Sequence, residues 1–146
     1  MFSLASPKAS ARLALAGAKS SISNAFDFIV DGHCLEHIAL NDDRQRVLEK
    51  VRSMLKPQGF YFVCKTVRDP GRDYGDDHIS EYGLVCARIE HPDRFEDALM
   101  IEDHRYLPNQ RHRSPEGLRD ELTRSGFRAL NQQGGDLLLQ LDQSTG

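Results

Sequence analysis

The sequence predicts an α/β fold, and three observations carry the prediction. Residues 26–31 form a short apolar run that ends at Gly32, which is typical of a buried strand in a parallel sheet. An amphipathic helix follows over 42–55, and a second apolar run follows over 60–67. Strand, helix and strand with short joins form a right-handed crossover by default, so the two strands should be parallel neighbours.

The sequence also predicts where the helix begins and ends. Asn41 is a good N-cap, and Asp42 and Asp43 occupy the first turn, where the helix dipole favours acids. Pro57 and Gly59 should end the helix. The residues of its apolar face are Val47, Leu48, Val51, Met54 and Leu55.

Residues 68–113 interrupt this alternation. The stretch is rich in Asp, Arg, His and Tyr, and it contains several prolines and glycines. Weak strand patterns lie at 84–89 and 98–107, the second bent at Glu102-Asp103. A long insertion after a core strand is usually functional or mobile, so we expect a cap-like insertion here.

Regular structure is predicted again from Ser114 to the C-terminus. Ser114-Pro115-Glu116 is a strong helix start, and Gly126 is a good C-cap. The residues expected to face the core are Leu118, Leu122 and Ser125. Two strands are predicted over 127–133 and 136–142, and Gly134-Gly135 between them indicates a hairpin turn.

Bulk composition excludes several classes of protein. The chain has 146 residues, enough for one domain, with 19 basic and 22 acidic residues, which argues against a dedicated nucleic-acid binder. No apolar run approaches the roughly 20 residues of a membrane span. The three cysteines follow no disulfide or zinc spacing, which indicates reduced thiols in a cytoplasmic protein.

Residues 1–24 differ from the rest in composition. Residues 1–26 contain Lys8, Arg12 and Lys19 but no acid, and residues 1–24 are rich in Ala and Ser. This composition fits a mitochondrial transit peptide, a poorly ordered leader or the remnant of a longer domain. We rank the remnant first, because of the family resemblance of the later segments.

Three segments, in order, resemble class I S-adenosylmethionine (SAM)-dependent methyltransferases. Residues 26–38 are similar to the fourth strand of that fold and the Leu-Glu-His stretch after it. Residues 54–60 resemble the Leu-Lys-Pro-Gly-Gly turn into strand five, with Gln58 replacing the first glycine. Residues 114–127 resemble the late helix that ends in Gly-Phe. Residues 25–146 would then be the C-terminal half of a Rossmann-like sheet, with strands four, five, seven and six, flanking helices, and the last two strands antiparallel.

The resemblance implies methyl transfer from S-adenosyl-L-methionine to a small molecule. The family holds this cofactor with an acid and a glycine-rich loop on its first strand, where glycines let the backbone approach the ligand. Before Phe26 the chain has only Gly17 and no acid, so we expect a truncated domain that begins near the fourth strand. The alternative is a non-catalytic methyltransferase-like remnant or interaction module.

Candidate cofactor-binding residues are Asp31, Gly32 and His33. They follow a predicted parallel strand, and ligands of open α/β sheets bind at the carboxyl ends of strands. The alternative is that the histidines here only cap a loop. The spacing from Cys34 to His37 allows a metal-binding pair, but structural zinc needs four ligands and no second pair follows, so no metal is expected.

Candidate substrate-binding residues come from two places, and they are His37, His104, Tyr106 and Arg111. In a substrate cap a histidine could act as a base, and Arg111 could clamp an acidic group. The competing interpretation is a solvated, charged insertion.

One strand edge is predicted to be open. Residues 26–31 have strand five on one side and no evident neighbour on the other, and they carry no lysine or proline to block pairing. We therefore expect self-association through 26–31, unless residues 9–16 fold back over the edge.

Overall fold

The computed structural model describes residues 2–4, 22–91 and 98–143. Within this part the chain forms two sheets and two α-helices. In chain order the elements are β1 (Phe2–Leu4), β2 (Phe26–Gly32), a 3₁₀ turn (Leu35–His37), α1 (Asn41–Met54), β3 (Leu55–Cys64), β4 (His78–Ile79), β5 (Leu84–Arg88), β6 (Leu99–Ile101), β7 (His104–Arg111), α2 (Pro115–Arg124), β8 (Phe127–Gln133) and β9 (Asp136–Leu141).

The main sheet has the strand order β1-β2-β3-β9-β8. β2 and β3 are parallel, with Ile29 opposite Tyr61 and Gly32 opposite Cys64. β9 runs antiparallel to β3, and β8 runs antiparallel to β9. The α/β class predicted from the sequence is confirmed.

The core lies between this sheet and the two helices. Strand residues Ile29, Tyr61 and Leu137 are wholly buried, as are Leu48 of α1 and Leu118 of α2. Burying one such side chain stabilises the fold by about 1.5–3 kcal/mol. The complete set of core residues is Ile29, Cys34, Leu35, Val47, Leu48, Val51, Met54, Leu55, Tyr61, Val63, Leu118, Leu122, Phe127, Leu137 and Leu139.

Helix α1 begins differently from the sequence prediction. Leu40 is the N-cap residue and makes no side-chain capping bond, while Asn41 is the first helical residue. The amide oxygen of Asn41 instead accepts a hydrogen bond from Nη2 of Arg113, at 2.9 Å. The side chain of Asn41, which the sequence predicted to cap the helix, is therefore hydrogen-bonded to an arginine that is distant in the sequence.

Strand β3 also begins earlier than predicted, directly after α1. Leu55 pairs with Phe26, and the pairing then shifts register before Phe28 pairs with Phe60. Gly59 lies in this irregular stretch, where a Cβ atom would come within 3.0 Å of the Asp27 carbonyl oxygen. The strand ends at Cys64 rather than at 67, and the N–H of Lys65 donates to Gly135 O at 3.2 Å.

The C-terminal elements agree closely with the sequence prediction. The hydroxyl of Ser114 accepts a hydrogen bond from the N–H of Gly117 at 3.0 Å, as an N-cap should. Gly126 has a φ of 91° after the helix, and Gly134 has a φ of 59° in the hairpin turn. The predicted inward-facing residues Leu118, Leu122 and Ser125 are buried.

Residues 68–113 contain a second sheet, with the strand order β4-β5-β7-β6. Glu102 and Asp103 form the turn between β6 and β7, with φ values of 46° and 65°. Two consecutive left-handed residues are typical of a tight hairpin turn, so the predicted bend is a chain reversal.

The flank of β2 that the sequence left without a neighbour is paired in the structure. β1 runs antiparallel to β2, and Phe2, Ser3 and Leu4 lie opposite Asp31, Val30 and Ile29. Residues 9–16, the alternative cover, lie outside the described residues, as does most of segment 1–24. Among the described helices, none is long and apolar enough to cross a membrane.

Candidate functional site

The carboxyl ends of β2 and β3 meet at one edge of the main sheet. The N–H of His33, the first residue after β2, donates to Cys64 O at 2.7 Å. His33 has a φ of 63°, in the left-handed region that non-glycine residues seldom occupy. This backbone conformation turns the chain away from the sheet into the 3₁₀ turn at Leu35–His37. Strained residues of this kind cluster at functional sites.

Asp31 holds this turn in place from inside the protein. Its wholly buried carboxylate accepts hydrogen bonds from the N–H groups of Cys34 at 2.8 Å and Leu35 at 3.3 Å. The hydroxyl of Tyr61 donates to the other oxygen at 3.3 Å. Burial raises the pKa of Asp31, although these bonds favour the charged form. The carboxylate of this cofactor-binding candidate therefore faces protein groups.

His33 and Glu36 form a close pair at the surface end of the turn. Nδ1 of His33 lies 2.5 Å from Oε1 of Glu36, and their side chains are 59% and 5% exposed. Burial acts to raise the pKa of Glu36, but hydrogen bonds from Thr66 and His33 outweigh burial and lower it. Glu36 is therefore a carboxylate at neutral pH, and Nδ1 of His33 must be the donor. The exposed imidazole of His33 is thus hydrogen-bonded to the buried carboxylate of Glu36.

The network continues from Glu36 into the insertion. Nε2 of His112 lies 3.7 Å from Oε2 of Glu36 and 2.7 Å from the side-chain oxygen of Gln110. The Tyr74 hydroxyl is 3.0 Å from Nδ1 of His112. Burial lowers the pKa of His112, and the charge of Arg72 lowers it further. The second sheet is thereby joined to the edge of the first by polar contacts.

The structure brings two of the four candidate substrate residues to this edge. His37 is exposed, and its Nδ1 contacts the Gln110 amide nitrogen at 3.2 Å. Arg111 is 6% exposed, and its guanidinium donates to Ala39 O at 2.8 Å and Tyr82 O at 3.3 Å. Because the guanidinium of Arg111 binds backbone carbonyls of two loops, its contacts stabilise the packing of those loops.

The other two candidate substrate residues lie elsewhere. His104 begins β7 and Arg111 ends it, so about 23 Å of strand separates them. His104 borders an open depression of about 650 Å³ together with Asp77 and Arg88. The ring of Tyr106 is buried, with its centroid 5.9 Å from that of His78. These residues do not join His37 in one site.

The sequence analysis missed the charged residues beneath the edge. Lys65 directly follows β3, is 5% exposed, and donates from Nζ to Arg111 O at 3.4 Å. Burial lowers its pKa to about 7, and the charge of Arg44 contributes. Glu36 is equally buried. Nothing in the local pattern distinguishes either residue from a solvated charge, because their burial depends on the insertion folding over the edge.

The described residues contain no cluster of three or more His, Cys, Asp or Glu that could hold a metal ion. The spacing of Cys34 and His37 allowed a metal-binding pair. In the structure their side chains do not point to a common site, because Cys34 is buried and His37 is exposed.

Comparison with known proteins supports one family. A family model described as a methyltransferase domain matches residues 6–63, which is less than half of the chain. Its match covers two of the quoted landmarks, β2 and the Leu-Lys-Pro-Gln-Gly stretch, so the resemblance to class I SAM-dependent methyltransferases is confirmed. S-adenosyl-L-methionine is the cofactor that this resemblance implies. No match was found among curated proteins.

Two solved structures are also similar. The chain is 21% identical to the "DhpI-SAH complex structure" with a TM-score of 0.47, covering 86% of this chain and 50% of that one. It is 22% identical to the "DhpI-SAM-HEP complex" with a TM-score of 0.46, covering 79% of this chain and 49% of that one. The chain thus spans about half the length of these solved proteins.

The described residues fit one wall of a cofactor site. Gly32 is half-buried and His33 exposed at the carboxyl end of β2, so main chain and imidazole are both at the edge. The carboxylate of Asp31 is engaged by the turn and does not reach that wall. The glycine loop typical of the family has no counterpart in the sequence.

Proposed function

We propose that this protein transfers the methyl group of S-adenosyl-L-methionine to a small molecule, at the carboxyl ends of β2 and β3. The observation that carries the proposal is the His33–Glu36 pair, an exposed imidazole on a buried carboxylate, at the edge where ligands of α/β sheets bind. The match of a methyltransferase family model to residues 6–63 supports the same chemistry.

Strand correspondence supports the placement of this site. In the order β2-β3-β9-β8, the two parallel strands are followed by the last strand of the chain and then by the one before it. We infer that these strands correspond to strands four, five, seven and six of the methyltransferase sheet. The edge at Gly32 and His33 then corresponds to the cofactor side of that fold.

Each proposed residue has a limited role. Gly32 and the backbone of His33 would line the cofactor, and buried Asp31 would hold the turn that carries them. His37 would border the methyl acceptor. The bound cofactor supplies an electrophilic methyl group, and the protein supplies proximity and orientation. We place His104 and Tyr106 outside the site, since β7 carries them away from the edge.

A non-catalytic interaction module is the second candidate. The side chains of Phe28 and Phe60 are 38% and 37% exposed, next to each other on one face of the sheet. Exposed aromatic pairs of this kind are common at protein interfaces. This candidate predicts that the chain binds neither cofactor nor acceptor.

The test is methyl transfer by the purified chain. The chain is incubated with S-adenosyl-L-methionine carrying a labelled methyl group and with a panel of small phenols, alcohols and amines, and labelled product is counted. We expect slow transfer that rises with cofactor concentration. No transfer to any acceptor, together with no cofactor binding by calorimetry, would overturn the proposal in favour of the interaction module.

A further inference from the structure

We propose that His33 is the general base of this site, that Glu36 orients it, and that the methyl acceptor is therefore a group that must lose a proton on transfer, such as a phenol. The inference rests on the proposed function and adds to it the substrate class and the residue that removes the proton. It is carried by the geometry of the two side chains and by the position of His33 in the fold.

The partner of Nδ1 determines which nitrogen of the imidazole carries the proton. Glu36 is held as a carboxylate by Thr66 and His33, and a carboxylate can only accept hydrogen bonds. The 2.5 Å contact therefore places the proton of a neutral imidazole on Nδ1. In this tautomer of the neutral ring Nε2 carries no proton, which is the form that a general base requires.

The imidazole ring of His33 is exposed at the edge of the sheet. The imidazole of His33 is 59% exposed, and its Nε2 lies 3.9 Å from Sγ of Cys64 at the end of β3. A hydrogen bond with Asp136 raises the pKa of the Cys64 thiol, so this thiol is no nucleophile beside the base. Nε2 therefore lies at the edge of the sheet, next to the uncharged thiol of Cys64.

Two other histidines lie near the same edge of the sheet. His112 is 1% exposed and hydrogen-bonds Tyr74 and Gln110, so its buried ring is closed to a substrate. Nδ1 of His37 contacts the amide nitrogen of Gln110 rather than a carboxylate. His33 alone among these three combines an exposed ring with a buried carboxylate at hydrogen-bonding distance.

A general base at this site restricts the class of methyl acceptor. The acceptor oxygen forms a bond to the methyl carbon while the carbon–sulfur bond breaks and its electron pair stays on sulfur, and the hydroxyl proton moves to Nε2 of His33. A base helps only an acceptor that must lose a proton. Carboxylates are already ionised at neutral pH and need no base, whereas a phenol resembles tyrosine with a pKa of about 10 and must lose its proton.

The backbone of His33 also suggests which variant to use. Its left-handed φ of 63° is a conformation that Asn tolerates better than most residues. His33→Asn therefore removes the imidazole with little expected strain. Glu36→Gln keeps the size of the positioning residue and removes its charge. His91→Gln, at an exposed histidine outside the site, is the matched control.

The experiment has two readouts. In ¹⁵N-histidine-labelled chain, imidazole nitrogen–proton spectra should show His33 as the Nδ1–H form, and Glu36→Gln should shift it toward a mixture of both forms. Labelled methyl transfer to a phenol should fall about 10²-fold or more in His33→Asn, while transfer to a thiophenol, ionised beforehand, should change little. His91→Gln should leave both readouts unchanged.

Each outcome decides a separate point. His33 in the Nε2–H form would overturn the carboxylate–imidazole pair, whatever the activity. The expected form, with equal phenol methylation by His33→Asn and the parent, would overturn the role as base. A parent chain that methylates neither the phenol nor the thiophenol would overturn the catalytic role of His33, and the proposed function would fall with it if the wider panel and calorimetry also gave nothing. The spectra would still show whether the carboxylate–imidazole pair exists.

Discussion

The guanidinium of Arg44 in α1 binds the carboxylate of Glu121 in α2, with Nε 2.9 Å from Oε1, and both side chains are buried. The same guanidinium donates to Leu35 O and to Ile38 O, so it ties both helices to the turn beside the candidate site. Burial acts to raise the pKa of Glu121, but the charges of Arg44 and Arg113 outweigh it and lower the pKa.

Removing the carboxylate of Glu121 should destabilise the fold strongly. Glu121→Ala leaves the guanidinium of Arg44 buried without its counter-charge, which typically costs about 3–5 kcal/mol. Denaturant unfolding measures the loss. Glu116→Ala, at an exposed acid in the first turn of the same helix, is the control and should cost under about 1 kcal/mol. Equal losses in the two variants would show that the pair does not hold the helices together.

The burial of Lys65 should make stability depend on pH. Its pKa of about 7 in the folded chain is below the ordinary value of 10.5, so between these values the unfolded chain binds more protons. The free energy of unfolding therefore rises with pH across this window, and the cost of the buried ammonium is greatest below it. Lys65→Met should stabilise the chain most below about pH 7 and much less above about pH 10.

The control for this prediction is Lys56→Met, at a side chain that is 45% exposed and paired with Asp27. Thermal unfolding at several pH values compares both variants with the parent. A gain from Lys65→Met that stays constant with pH would show that packing, rather than the charge, causes it.

Elements with local signals could be predicted from the sequence, and elements that depend on distant contacts could not. Ser114 caps its helix as its pattern indicates, because a capping bond involves residues three apart. Asn41 has an equally good local pattern, but Arg113 binds its side chain from 72 positions away. The site divides in the same way: the position of His33 followed from the end of a strand, whereas the burial of Glu36 and Lys65 depends on the insertion.

The chain should bind S-adenosyl-L-methionine weakly. The glycine loop and the ribose-binding acid of the family have no counterpart in the sequence, and binding energy normally comes from contacts made there. Isothermal titration of the purified chain measures the affinity. A dissociation constant in the low micromolar range, about −8 kcal/mol, would contradict the expectation and show that other residues hold the cofactor.

The pairing of β1 with β2 gives the predicted self-association a specific test. Phe2–Leu4 lies against Ile29–Asp31, so this part of the edge is already paired. Deleting residues 1–5 should leave the backbone N–H and C=O groups of β2 open to a second chain. We expect light scattering to show a dimer or larger species for the shortened chain and less association for the parent.

A lysine on the open edge should reverse this association. Ile29 is wholly buried, so a lysine there would disrupt the core, whereas Val30 is only half-buried and lies opposite Ser3. Val30→Lys in the shortened chain places a charge where a second chain would pair, and it should restore a monomer. Leu130→Lys, at an exposed apolar residue of β8, controls for added charge and should leave the association in place. A shortened chain that stays monomeric without any lysine would show that the edge of β2 does not drive self-association.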